Sequence, residues 1–316
     1  MPFMRTGNTI REGFITGIKK GWQGFVWMMK IIIPISFVTA LVAWTGWIDK
    51  VDVLIAPAMD VLNLPSMAAV PLLVGMLTGI YGGIAAMAVL PFSTEQMTII
   101  AIFLLISHNL VQEGIIQGNS GINPLKATLF RLVASIITVL VVAHCIDVSG
   151  TVDIASGGAL QGASQPFSAM LQEWGSTILM LVIKIFFIIM GILTALEIFK
   201  SLGWITHVVD FLSPLLRFMG LSRTVGILWM TAVVFGLSYG GAVIVEEAKE
   251  KHLTKRDLET LHLSIGINHS MIEDPVLFLP LGVGAFWLWV PRLVMALIAV
   301  RLLTVWQNLR HTSSPL

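Results

Sequence analysis

The chain is poor in what most soluble domains rely on. It has one cysteine, Cys145, which rules out an intramolecular disulfide and leaves the redox compartment open. Only 12% of residues are charged, 56% are hydrophobic, and mean hydropathy is +0.88, which together exclude an ordinary soluble domain. There is no Gly-Lys-Ser/Thr phosphate loop, no zinc-spaced Cys/His set and no nucleophile elbow. ATP-driven transport within this chain and membrane-embedded hydrolysis therefore lack their residues, and we read the protein as not an enzyme. The basic N-terminus (Arg5, Arg11, Lys19, Lys20) precedes an apolar run too long for the core of a cleavable signal peptide. No Lys or Arg occurs from 132 to 183.

What is present is long apolar runs, several reaching the roughly 18–20 residues that cross a hydrocarbon core, and a duplication. Gly79-Ile80-Tyr81-Gly82-Gly83 returns as Gly236-Leu237-Ser238-Tyr239-Gly240-Gly241, and these hold the only two tyrosines. Thr39-Ala40-Leu41 answers to Thr194-Ala195-Leu196, Gly46-Trp47 to Gly203-Trp204, and Pro57 to Pro214. His108 answers to His269, Glu113 to Asp274, and Arg131-Leu132-Val133 to Arg292-Leu293-Val294, at an offset drifting from about 155 to 161.

The expected plan is all-α and polytopic. Residues 1–21 carry a basic amphipathic surface helix at 4–21, and 22–146 form a first repeat. Within it lie a span at about 22–47, an interfacial helix at 49–64, a glycine-broken segment at 66–91, and spans at 97–116 and 125–146. A Gly/Ser/Ala-rich linker at 147–172 is extracytoplasmic. The second repeat, 173–306, has a span at 174–199, an interfacial helix at 201–221 and a hairpin at 224–245. A charged segment at 246–259 and spans at 260–280 and 283–306 follow, then a cytoplasmic tail at 307–316. As one helix, 66–91 would be about 39 Å long. Helical glycine costs about 1 kcal/mol each, so the cluster favours a re-entrant hairpin. Positive charge places both termini in the cytoplasm. That agrees with an external linker free of Lys and Arg only if each repeat crosses an odd number of times. The expectation is two inverted-topology repeats, each with about three transmembrane helices, one re-entrant hairpin and an interfacial helix, in a cell inner membrane.

A charge inside a span costs about 2.5–3.5 kcal/mol on insertion scales, so buried polar groups need a reason. The principal set is His108, Asn109, Gln112 and Glu113 against Asn268, His269, Ser270, Glu273 and Asp274. On a continuous helix His108–Gln112, Asn109–Glu113, His269–Glu273 and Ser270–Asp274 share faces. Gly114 and Pro275 would then break the helix just after the acid. Met across a pseudo-two-fold axis, these groups can ligate a divalent cation (His108, Glu113, His269 and Asp274), relay protons or hydrogen-bond a polar solute. They can equally satisfy one another and lock packing. Tyr81, Gly82 and Gly83, with Tyr239, Gly240 and Gly241, are candidate hairpin tips offering backbone groups to a substrate, or sites of close helix packing. Arg131 and Arg292 either pair with the acids or attract an anionic solute. Lys30 and Lys184 snorkel.

Gly-Leu-Ser-Tyr-Gly-Gly and Ile-Asn-His-Ser-Met-Ile-Glu-Asp-Pro resemble the nucleoside-recognition or Gate domain family. Related domains occur in concentrative nucleoside transporters, in the permease part of the bacterial ferrous-iron transporter B and in spore maturation membrane proteins. The resemblance spans about 20–306 and implies inverted repeats with re-entrant hairpins. The GTPase domain of the iron transporters is absent from this sequence. The expected function is a secondary transporter or permease with its site at the membrane midplane, for a divalent metal cation or a nucleoside. The alternative is a non-transporting scaffold or accessory subunit. Expected partners are the lipid bilayer and a small solute or ion, without nucleic acid; a homo-oligomer is compatible. No cofactor is expected beyond a transported or coupling cation.

Overall fold

The computed structural model describes residues 2–146, 148, 165–204, 207, 211, 214, 216, 218, 221, 223–249 and 253–312, and these contain helices and no strand. Twelve α-helices are labelled in chain order. The first copy holds α1 (Pro2–Trp44), α2 (Trp47–Asp60), α3 (Ala69–Thr78), α4 (Ile80–Met87), α5 (Thr94–Ser107), α6 (Leu110–Asn119) and α7 (Pro124–Ala143). The second holds α8 (Phe167–Ser201), α9 (Arg223–Lys249), α10 (Lys255–Asn268), α11 (Glu273–Val276) and α12 (Ala285–Thr312). Five stretches among the described residues are long and apolar enough to cross a membrane: Thr9–Trp44, Thr94–Asn119, Pro124–Ala143, Phe167–Ser201 and Ala285–Gln307.

Two expectations about element boundaries are corrected. The surface helix at 4–21 and the span after it are one helix, α1, uninterrupted even at Pro34. The reason is its partner. Gly13, Gly17 and Gly21 form a stripe against α8, where a Cβ on Gly17 would meet the Thr194 Cα at 2.5 Å and one on Gly13 the Ile198 Cα at 3.0 Å. The second correction concerns 260–280, which is not one span: α10 ends at Asn268, and α11 and a short 3-10 turn (Leu279–Leu281) follow separately. Most of the linker at 147–172, most of the interfacial helix at 201–221 and the tail end 313–316 lie outside the described residues.

α1 and α8 run antiparallel along their length. Lys20 Nζ meets Glu197 Oε1 at 2.7 Å near one end. Phe25 packs edge-on against Phe186 at 5.1 Å, and the Trp174 indole donates to Ser36 Oγ at 3.2 Å. Trp44 packs against Phe167 at the other end. A core of α5, α7, α10 and α12 sits beside this pair, each copy's two helices packing on each other and across to the other copy. The centre of α5 is wholly apolar and buried, from Ile99 to Ile106.

Equivalent ends carry equivalent caps. Ser93 Oγ accepts from the Gln96 N–H while Gln96 returns the bond to the Ser93 N–H. Thr254 and Asp257 do the same at the start of α10. This reciprocal capping satisfies two N–H groups that the first turn leaves unpaired.

Candidate functional site

Four breaks build the site. In the first copy the chain turns at Gly79 (φ 93, ψ −177), a left-handed-side conformation that a side chain resists. Beyond it the two arms fold together, since a Cβ on Gly83 would lie 3.5 Å from the Gly75 Cα and from the Pro71 carbonyl oxygen. The second copy breaks at Gly236 with nearly the same dihedrals (φ 75, ψ 171). The other two breaks fall at His108–Asn109 and His269–Ser270. There α5 and α10 stop with an extended histidine, followed by a residue at φ 51 (Asn109) or φ 50 (Ser270).

This corrects the helical-face argument. His108 and Gln112 are not a turn apart on one helix, because the helix ends between them. Nor do Gly114 and Pro275 make the break. Gly114 sits inside α6, and Pro275 lies in the short α11, near a helix start where a missing N–H costs little. The breaks are held by long-range bonds instead. The Asn109 N–H donates to the Gly75 carbonyl at 3.1 Å, and the Ser270 N–H to the Ala232 carbonyl at 3.1 Å. Each hairpin's first arm is thereby tied to the matching break.

Two buried arginines finish the job. Arg131 donates from Nε to the Ile106 carbonyl and from Nη2 to the His108 carbonyl, both at 2.8 Å. Arg292 does the same to Ile267 at 3.1 Å and His269 at 2.9 Å. A cation at a helix C-terminus satisfies carbonyls left without partners and favours the local dipole. Sequence reading assigned these arginines to acids or solutes and missed this capping role. The constant spacing between each His and its Arg was the available signal.

A cavity of about 290 Å³ lies where the breaks converge. Of the candidate residues, Tyr81, His108, Asn109, Gln112, Glu113, His269, Ser270, Glu273 and Asp274 line it. Trp27, Ile31, Thr78 and Ile116 also line it and were not singled out from sequence. Trp27 stands edge-on to Tyr81 at 5.3 Å. Arg131, Arg292 and Asn268 stand behind the wall rather than in it. Gly82 and Gly83 are buried, with Leu104 against Gly83 and Thr78 against Gly82, so their role is close packing. Gly241 is buried too, and the side-chain positions of Tyr239 and Gly240 lie outside the described residues.

The central groups touch across the copies. His108 Nε2 lies 3.2 Å from His269 Nε2. Glu113 Oε1 is 3.3 Å from His269 Nε2 and 3.8 Å from His108 Nε2, and Asp274 Oδ2 is 3.6 Å from His108 Nε2. Arg131 grips Glu113 with both nitrogens, Nη1 to Oε2 at 2.7 Å and Nη2 to Oε1 at 2.9 Å. Arg292 does not grip Asp274: its Nη1 and Asp274 Oδ2 are both buried without a hydrogen-bond partner. The Tyr81 hydroxyl donates to Glu273 at 2.7 Å, and Asn109 Nδ2 donates to Gln112 at 2.8 Å. Glu273 also lines a second cavity of about 190 Å³, shared with Lys20 and Glu197. Lys184 reaches the Pro280 carbonyl at 3.3 Å from an exposed position.

Membrane-length apolar helices around a polar centre define a multi-pass membrane protein. The chain is 25% identical over 291 residues to the uncharacterized membrane protein YvoD of Bacillus subtilis (strain 168), covering 92% of this chain and 93% of that one. No family model matches the chain. No solved structure matches it either.

Proposed function

We propose that the protein is a secondary transporter or permease for a small polar or ionic solute, which passes through the cavity between the two copies. The observation that carries this reading is the convergence of both copies' helix breaks, histidines and acids on one cavity. Broken helices bring polar side chains to depth, the arrangement that membrane transport sites use. The antiparallel course of α1 and α8, which correspond in sequence, supports copies inserted with opposite orientation. The likeness to Gate domains in the Tyr-Gly-Gly and His-Ser-Met-Ile-Glu-Asp-Pro stretches agrees with it.

A scaffold would be expected to pair its buried polar groups and to leave no cavity beside them. The unpartnered Asp274 Oδ2 and the lined cavity speak for transport instead. The test is uptake into proteoliposomes of purified protein across a panel of metals, nucleosides and carboxylates. One class is expected to accumulate and to be lost with Asp274→Asn. Absence of flux for every class, from protein with a native unfolding transition, would refute the permease reading.

A further inference from the structure

The two central histidines are held in one tautomer. His108 Nδ1 lies 2.8 Å from the Leu104 carbonyl oxygen, and His269 Nδ1 lies 2.9 Å from that of Ile265. A carbonyl only accepts, so each Nδ1 carries the proton and donates it. In neutral imidazoles this leaves both lone pairs on Nε2, and the two Nε2 atoms face each other at 3.2 Å. Glu113 Oε1 completes a triangle with them, the three atoms lying within 4.8 Å of one another. Three electron-pair donors so close repel one another, and a cation among them turns that repulsion into attraction.

We propose that His108, His269 and Glu113 form a binding site for a borderline divalent transition-metal cation of the zinc type, with Asp274 as fourth donor. The proposal names the solute class for the permease reading and rests on that reading only for the ion being cargo. The circle through the three donor atoms has a radius of about 2.0 Å, the length of a zinc–imidazole or zinc–carboxylate bond. Asp274 Oδ2, buried without a hydrogen-bond partner, stands 3.6 Å from His108 Nε2 on the same cavity wall, outside the group of three, and moves in to complete the site. The outer shell is built as metal sites require. Each histidine donates its other N–H to a carbonyl, and Arg131 orients Glu113.

Donor chemistry sets the selectivity. Two imidazoles among four donors suit zinc-like cations, while Mg²⁺ and Ca²⁺ require shells of oxygen. Three carboxylates (Glu113, Glu273, Asp274) against two guanidiniums (Arg131, Arg292) leave one formal negative charge to receive the ion. Because Glu113 shares its charge with Arg131, the ion is held less firmly than in a structural zinc site, as release requires.

The probe is Co²⁺, whose visible spectrum reports its geometry, added to purified full-length protein in detergent, with Zn²⁺ displacement measured by calorimetry. One equivalent of Co²⁺ should bind with the intense bands of a four-coordinate site and be displaced by Zn²⁺ but not by Mg²⁺. Outer-shell changes commonly weaken metal sites 10–100-fold, so loss of a direct ligand in His269→Asn should weaken binding by more than about 100-fold. Glu95→Gln, in the first turn of α5 and so at the opposite end of that helix from His108, should bind as wild type. Should His269→Asn fold poorly, Zn²⁺ raising the wild-type unfolding temperature where Mg²⁺ does not reports the same site. Weak octahedral bands, no binding, or binding unchanged in a folded His269→Asn would overturn the proposal. Flux of a non-metal solute without Co²⁺ binding sinks the metal and spares the permease. Tight binding without flux does the reverse.

Discussion

The two copies share a frame and differ at its centre. Each has a segment broken at a glycine, a helix ending in an extended histidine, a left-handed residue after it and an arginine capping the last carbonyls. Each begins its broken helix with a reciprocal cap. At the acid they part. Glu113 lies 2.7 and 2.9 Å from Arg131 at its two carboxylate oxygens, whereas Asp274, one methylene shorter, makes no such ion pair with Arg292, whose Nη1 is left without a hydrogen-bond partner. The next pair of counterparts differs as well. Gln112 folds back onto Asn109 within its own copy, while Glu273 crosses to Tyr81 of the other. The duplicated parts hold the geometry, and the departures from symmetry mark where one copy is braced and the other is left available to a ligand.

The largest expected effect breaks the braced side. Glu113→Ala strands a buried guanidinium, and removing one partner of a buried pair costs about 3–5 kcal/mol. Unfolding in detergent should show that loss, whereas Asp274→Ala, which removes a carboxylate with no such pair, should cost far less and still abolish uptake. Equal destabilisation by both would remove the asymmetry. A sharper experiment makes the second copy resemble the first. Asp274→Glu supplies the missing methylene, and pairing it with Arg292 should stabilise by about 1.5–3 kcal/mol, the range for hydrogen bonds to charged groups. Uptake should fall, because the fourth donor is then committed. A variant that gains stability and transports normally would show that Asp274 is not needed free.

How far the sequence revealed this depends on whether the cause is local. The duplication, the glycine breaks and the relevant histidines and acids were legible, because glycine clusters and costly polar residues stand out within apolar runs. The breaks at His108 and His269 were not. Nothing around Ser107-His108-Asn109-Leu110 forbids a helix; the bend is imposed by the Gly75 carbonyl and by Arg131, both distant in sequence. Gly114 and Pro275 drew attention as breakers, yet both fit helices where they stand. The continuity of α1 was hidden in the same way. Its basic first turns read as a surface helix, and only the contact with α8 shows why Gly13, Gly17 and Gly21 share a face.

That contact yields the next comparison, since the close approach is made by glycines of α1. Gly17→Ala would place a methyl against the Thr194 backbone, which cannot rotate away, and overpacking of this kind costs about 1–3 kcal/mol. Gly191, in α8, has open space around its Cβ position. Gly191→Ala should therefore be neutral or stabilise by up to about 1 kcal/mol, the helix-propensity gain. Thermal unfolding in detergent should separate the two by sign, and a matched response would mean that the α1–α8 spacing is not set by the glycines.

The smallest expected effect lies at the tie between copies. Tyr81→Phe keeps the ring against Trp27 and deletes only the hydroxyl that holds Glu273. A net hydrogen bond is worth about 1 kcal/mol, so the stability change should be of that order. Because Glu273 lines both the central cavity and the smaller one beside Lys20 and Glu197, freeing it should alter passage between them. Initial uptake rates should change while Co²⁺ affinity at the histidines stays within a few-fold, since neither Tyr81 nor Glu273 is among the donors. Gln112→Ala, which cuts the corresponding bond inside the first copy, should change uptake less than Tyr81→Phe and leave Co²⁺ affinity within a few-fold. If that variant and Tyr81→Phe shift uptake equally, the cross-copy tie has no special part in access and the two copies are more alike than their side chains suggest.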